Sequence, residues 1–288
     1  MTENYRITEP FQKPWATLHF LHGMIEDISN YEEMTAWFTR QGIRVIRQIY
    51  QWDNLSGDEY AEHIDHTWTW DQTVDDIYSI YQKENKGQPY FIAGFSLGSF
   101  LVRETIAKFD KTVFHPNGIA LIGTGWQNTI TAKIGHWMAN KQVEQFGAFT
   151  PNMKTDSMAL WNYSTKFKEP LDEGDAYNWL YQDTSIRIAF RRTYAKSFVT
   201  PWLFERLTNS MVKASQTIAS MKPHNLYIMS GENDPVTGNL VKIQKKLKNK
   251  YGIRAKIFIQ PEGRHAILTD KHKQETWTNL FLWITNYK

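Results

Sequence analysis

The chain has 288 residues, 41% of them hydrophobic and 15% aromatic, enough for one large α/β domain with an insertion or for two small domains. Its 33 basic and 30 acidic side chains leave a formal charge of +3, so neither nucleic acid nor an anionic membrane is required as a partner. Cysteine is absent, which excludes disulfides, thiolate metal sites and a cysteine nucleophile.

Residues Met1 to Arg6 lack the basic start and apolar core of a secretory signal. No apolar run approaches the roughly 20 residues that span a bilayer. A soluble, cytoplasmic protein without an integral membrane segment is expected.

Short apolar runs alternate with longer amphipathic stretches, the pattern of a mostly parallel sheet covered by helices. The first run, Ala16 to Leu21, leads into His22-Gly23-Met24. Ser29, with Glu32 three residues on, reads as a capping box, and Gly42 stands where that helix should stop. Ile43 to Arg47 is the second strand. Glu62-His63-Ile64-Asp65-His66 holds ligand-type residues, but i, i+3 spacing in a polar stretch is a weak metal signal, and a polar loop or helix end is expected. A helix over Gln72 to Lys83 follows from Val74, Ile77 and Tyr81.

Tyr90 to Ala93 then runs straight into Gly94-Phe95-Ser96-Leu97-Gly98, followed by the helix-like Ser99 to Arg103. Strand, sharp turn and helix is the layout of a nucleophile elbow. A serine hydroxyl is a weak nucleophile, so such a turn must hold it clear of the backbone, within reach of a base. Another strand, Ile119 to Gly123, precedes a long interruption. From 126 to 200 the chain is aromatic and helical or irregular, with no convincing strand. This segment is expected to be a cap set into a core formed by 1–125 and 201–288, either packed around its own small core or lining an acyl pocket. His22, Phe95, Trp126 and Trp179 are the candidate pocket residues, although the side chain of His22 reads more simply as a buried loop histidine.

Two further strands end beside chemistry. Leu226 to Ser230 is followed by Gly231-Glu232-Asn233-Asp234-Pro235, and Ala255 to Gln260 by Pro261-Glu262-Gly263-Arg264-His265. Between them, Lys242, Lys245, Lys246, Lys248 and Lys250 read as the solvated face of a helix. Trp277, Leu280, Phe281 and Ile284 mark a last helix that packs on the sheet.

Ser96, Asp234 and His265 each follow a core strand, so the sheet should bring them to one edge, in the chain order of a serine, acid and histidine triad. Glu232 competes with Asp234 for the acid role. The amide of Leu97 is one candidate oxyanion donor and that of Met24, after the tight turn at Gly23, the other. The chemistry these residues suit is acyl transfer through a covalent intermediate, without metal or organic cofactor.

On these residues the chain resembles the α/β-hydrolase superfamily, and within it the monoacylglycerol lipase and lysophospholipase branch, which is serine aminopeptidase-like. The pieces that carry the resemblance are His22-Gly23-Met24 with Glu26 and Tyr31-Glu32, the elbow, Asp234-Pro235 and His265. Asn178-Trp179-Leu180, followed by Asp183, is similar to a cap segment of bacterial members. The resemblance implies an α/β-hydrolase fold with a sheet of about eight strands, a helical cap inserted after the sixth, and hydrolysis of esters of hydrophobic acids. One departure stands out: members carry an Arg-Gly-His-Gly-like loop where this chain reads Arg47-Gln48-Ile49-Tyr50-Gln51-Trp52-Asp53-Asn54. A small-molecule acyl ester is the expected substrate. Peptidase, thioesterase or acyltransferase use of the same triad, and a non-catalytic ligand-binding role, are the alternatives.

Overall fold

The computed structural model describes residues 4–53, 70–109, 111–167, 177–194 and 199–287. The stretch Glu62 to His66 lies outside them. Among the described residues no group of three or more His, Asp or Glu side chains is placed to hold a metal ion. Nor is any described helix long and apolar enough to cross a membrane.

Seven strands form one sheet: β1 (Tyr5–Thr8), β2 (Ala16–Leu21), β3 (Ile43–Gln48), β4 (Tyr90–Phe95), β5 (Gly118–Ile122), β6 (Leu226–Gly231) and β7 (Ala255–Gln260). Their spatial order is β1-β3-β2-β4-β5-β6-β7, with β1 antiparallel to β3 and every other pair parallel. The inner strands β2, β4, β5 and β6 are buried at every position, which is why they read as continuous apolar runs rather than as alternation. At the edge, β7 is buried only at Ala255 and Gln260. Edge strand β1 has four residues, too few for a period to show in the sequence.

The helices are α1 (Glu32–Arg40), α2 (Trp70–Glu84), α3 (Leu97–Lys108), α4 (Thr129–Phe146), α5 (Thr184–Thr193), α6 (Pro201–Gln216), α7 (Leu240–Tyr251) and α8 (Lys273–Thr285), with short helical pieces over Met153–Asp156, Ser157–Trp161 and Asn162–Ser164. Val74 and Ile77 of α2, Leu97 and Leu101 of α3 and Leu247 of α7 belong to one core cluster; Met34 and Phe38 of α1 with Trp277 and Leu280 of α8 belong to a second. On α7 all five lysines are exposed while Leu240 and Leu247 are buried, so the basic run is a solvated helix face.

Three details differ from the sequence reading. The sheet has seven described strands where about eight are implied, because β1 alone precedes β2, and the helical excursion accordingly follows the fifth strand. Ser29 is not the cap of α1: a 3-10 turn over Ile28–Tyr31 comes first, capped by Asp27, whose carboxylate accepts from the Ser29 amide at 2.6 Å. Glu32 pairs instead with Arg47, at 2.6 Å. No strand is described between β5 and β6, and there α4 and α6 pack on each other, with α6 also against α3.

Candidate active site

Parallel register sets the site. Leu21 pairs with Gly94, Phe95 with Ile122, Ile122 with Met229, and Gly231 with Gln260, so the loops that follow β2, β4, β5, β6 and β7 all emerge at one edge of the sheet. Ser96 sits between β4 and α3 with φ 49° and ψ −115°, one of two non-glycine residues with positive φ among those described. Such a conformation costs on the order of 1–3 kcal/mol and must be imposed by its surroundings. Here the Ser96 amide donates to the Ile122 carbonyl at 2.8 Å and the Gly98 amide to that of His22 at 3.1 Å. A Cβ on Gly98 would lie 2.4 Å from the Leu21 carbonyl oxygen, and one on Gly94 2.5 Å from that of Gly98, so both flanking positions need glycine.

Asp234 and His265 meet next to this turn. Their loops cross at Gly231, where a Cβ would come within 2.2 Å of the Gly263 carbonyl oxygen, and the Asn233 amide donates to that carbonyl at 2.8 Å. Both side chains are buried, with His265 Nδ1 and Asp234 Oδ1 2.9 Å apart. Burial alone would raise the Asp234 carboxyl, but the charge and hydrogen bond of His265 outweigh it, aided by the Val236 amide at 2.8 Å and the Thr237 hydroxyl at 2.8 Å, and hold it below the ordinary carboxylate value. An ionised Asp234 fixes the proton on Nδ1 and leaves Nε2 as the free base. His265 Nε2 is buried and has no hydrogen-bond partner among the described residues. Glu232, the competitor for the acid role, is exposed and accepts from the Glu262 amide at 3.0 Å.

The imidazole is packed from several sides. Phe95 and Trp179 stand 4.9 and 5.0 Å from its ring centre. Gly123, at φ 59°, leaves the space for it, since a Cβ there would lie 2.7 Å from His265 Cε1. The sequence reading missed Gly123; its signal was a glycine directly after a core strand. The segment Asn178 to Asp183 is tied onto this loop by the bonds His265 N to Trp179 O at 3.2 Å, Ala266 N to Leu180 O at 2.9 Å, and Gln182 N to Asp270 Oδ2 at 2.7 Å. Arg264 adds bonds to the carbonyls of Asn178 and Tyr181.

After β2, the Gly23 amide donates to the buried carboxylate of Glu26 at 2.7 Å, and that carboxylate also receives the Tyr31 hydroxyl and the Asn30 side chain. Neither the Met24 nor the Leu97 amide is engaged by an acceptor among the described residues. A cavity of about 310 Å³ opens beside Ser96, walled by Met24, Met138, Met158, Leu160 and Trp179 among others. Of the four expected pocket residues only Trp179 borders this cavity. His22 and Phe95 are buried and do not line it, and Trp126 is half-buried with its ring 4.6 Å from the Arg103 guanidinium.

A mostly parallel sheet whose central strand ends in a strained serine, with an aspartate and histidine pair on the next loops along the same edge, defines an α/β-hydrolase fold. The sequence model of the family described as serine aminopeptidase, S33, matches residues 12–272, and the chain belongs to that family, a family of hydrolases. Among solved structures the chain is similar to a lipase in its open form, with a TM-score of 0.79, 15% identity and coverage of 98% of this chain and 94% of that one. A thermostable carboxyl esterase from Bacillus coagulans matches with a TM-score of 0.74 at 19% identity, covering 98% and 93%. A soluble variant of the Saccharomyces cerevisiae monoglyceride lipase matches at 0.69 and 13%, covering 99% and 91%. No curated protein sequence matches the chain significantly.

Gly123→Ala is expected to displace the His265 ring from Asp234. The downfield proton NMR signal of the Nδ1–H shared with Asp234 should disappear while circular dichroism stays native. A variant that keeps the signal would contradict this packing.

Proposed function

We propose that the protein is a serine hydrolase that cleaves carboxylic esters of hydrophobic acyl groups through an acyl-enzyme. The observation that carries this reading is the buried His265–Asp234 pair, with its Nε2 uncommitted, next to a strained Ser96 at the mouth of an apolar cavity. In the proposed cycle His265 Nε2 takes the Ser96 proton as Oγ attacks the ester carbonyl. The Met24 and Leu97 amides receive the negative charge that develops on oxygen. Collapse of the tetrahedral species expels the alcohol, which leaves with the proton from His265. Water, deprotonated by the same nitrogen, then releases the acid and restores Ser96.

Residues 126–200 serve as the cap in this account. Two observations support it: Met138, Met158, Leu160 and Trp179 wall the cavity, and Asn178 to Asp183 is bonded to the histidine loop. A cavity of about 310 Å³ stands at the small end of ligand sites, which run from about 300 to 1,000 Å³, and this favours short to medium acyl chains. Monoglycerides, lysophospholipids and small esters fit that description.

A fluorophosphonate probe should label the native protein and fail to label Ser96→Ala; a folded native protein that stays unlabelled would refute the reading. Gly135 tests the pocket separately. It lines the cavity, and a Cβ added there meets only Thr208 Cγ2, at 4.0 Å. Gly135→Leu should therefore fold and shift the optimum in a panel of p-nitrophenyl esters toward shorter chains. An unchanged chain-length profile would remove this cavity from the acyl pathway.

A further inference from the structure

The loop that departs from the family pattern places Asp53 against His22, and this pair has no part in the mechanism above. His22 Nε2 and Asp53 Oδ2 are 2.9 Å apart, with both side chains buried. The other ring nitrogen, Nδ1, lies 2.9 Å from the Gly23 carbonyl oxygen. A carbonyl can only accept, so Nδ1 carries a proton. Asp53 Oδ2 also accepts from the Tyr50 amide at 2.7 Å, which fixes the carboxylate in its own loop. The Tyr50 ring lies tilted with its centre 4.2 Å from that of His22, and its hydroxyl donates to the His22 carbonyl at 3.1 Å. That same carbonyl receives the Gly98 amide of the elbow.

The Gly23 carbonyl and the Met24 amide belong to one planar trans peptide unit, so they point in opposite directions and turn together. A hydrogen bond on one end therefore sets the direction of the other. The preceding peptide is fixed as well, because the Gly23 amide is held by Glu26. An acceptor bond to a donor that is itself charged polarises the amide and strengthens its N–H as a donor. Resting on the serine hydrolase reading, we propose that His22 and Asp53 are positioning residues that hold the Gly23–Met24 peptide plane so that the Met24 amide faces the oxyanion. They are joined through Tyr50 and the His22 carbonyl to the elbow, so both oxyanion donors are referenced to the same group.

The charged groups facing His22 favour this arrangement. Burial works against a cationic imidazole, but Asp53, through its charge and hydrogen bond, and then Glu26 outweigh it and hold His22 above the ordinary histidine value. The pair thus keeps a proton between Nε2 and Oδ2 while Nδ1–H stays on Gly23.

Asp53→Asn keeps the shape and removes the charge. It is expected to lower kcat for a p-nitrophenyl ester about 10- to 100-fold, within what loss of one oxyanion donor costs, with KM within about twofold. The inhibition constant of an alkylboronic acid, whose tetrahedral adduct on Ser96 mimics the oxyanion, should rise by the same factor. A folded Asp53→Asn enzyme with native kcat, or with lowered kcat but native boronate affinity, would overturn the proposal. Should the variant fail to fold, nitrogen-15 NMR of the native, histidine-labelled protein decides. The ring identified by its contact with Tyr50 should carry hydrogen on Nδ1 at pH 8, and a bare Nδ1 would overturn the proposal. A native protein that hydrolyses no ester and takes no fluorophosphonate defeats the hydrolase reading itself. An active native enzyme with an unaffected Asp53→Asn defeats only the role of this pair.

Discussion

Ser96 holds φ 49° and ψ −115°, a conformation no L-residue adopts without being forced, and the surroundings of the sheet edge are arranged to force it. The strand on one side, β2, approaches so closely that Gly98 can carry no side chain, while β5 on the other side accepts the Ser96 amide. Neither contact is local in sequence. The turn exists only because β4 lies between β2 and β5, and that order is the topology of the whole sheet. Fold and site are therefore one constraint: a strand order that did not place β4 centrally would leave the serine in an ordinary turn.

The same edge carries two histidine and carboxylate pairs, one on each side of the elbow. His265–Asp234 lies toward β6 and β7, His22–Asp53 toward β2 and β3. Both are buried, where an unpaired charge would be costly; the Asp234 carboxylate also accepts the Val236 amide and the Thr237 hydroxyl, and that of Asp53 the Tyr50 amide. Their partners differ in consequence. Asp234 leaves one imidazole nitrogen uncommitted beside the serine, whereas Asp53 and the Gly23 carbonyl between them engage both nitrogens of His22. On the proposed reading, the same kind of pair would hold a base ready in one place and a peptide plane in the other.

What the sequence revealed follows from how local each signal is. The inner strands were legible because burial on both faces leaves apolar runs, and Asp234 and His265 were legible because each lies a few residues past a recognisable strand, β7 being recognisable although it is buried only at its two ends. Gly123 and Asp53 were not, since their roles depend on which loop arrives opposite them in space. Phe95, a pocket candidate within the elbow, is buried against His265 and does not line the cavity, and His22 is the buried loop histidine that its side chain suggested. The aromatic residues of 126–200 divide between site and solvent in a way no periodicity could show: Trp179 covers His265, while Trp137 is 61% exposed. Ser29 misled because a 3-10 turn with its own cap precedes α1.

The central claim is that Ser96 forms a covalent acyl intermediate, served by His265. Rapid-quench mass spectrometry of the enzyme mixed with p-nitrophenyl butyrate tests it most directly. The account predicts a species heavier by one butyryl group, with the modified peptide containing Ser96. In His265→Gln, whose serine lacks its base, that species should not accumulate at comparable times. Ester turnover by native enzyme with no acylated protein at any quench time, or acyl transfer to a different residue, would contradict the account.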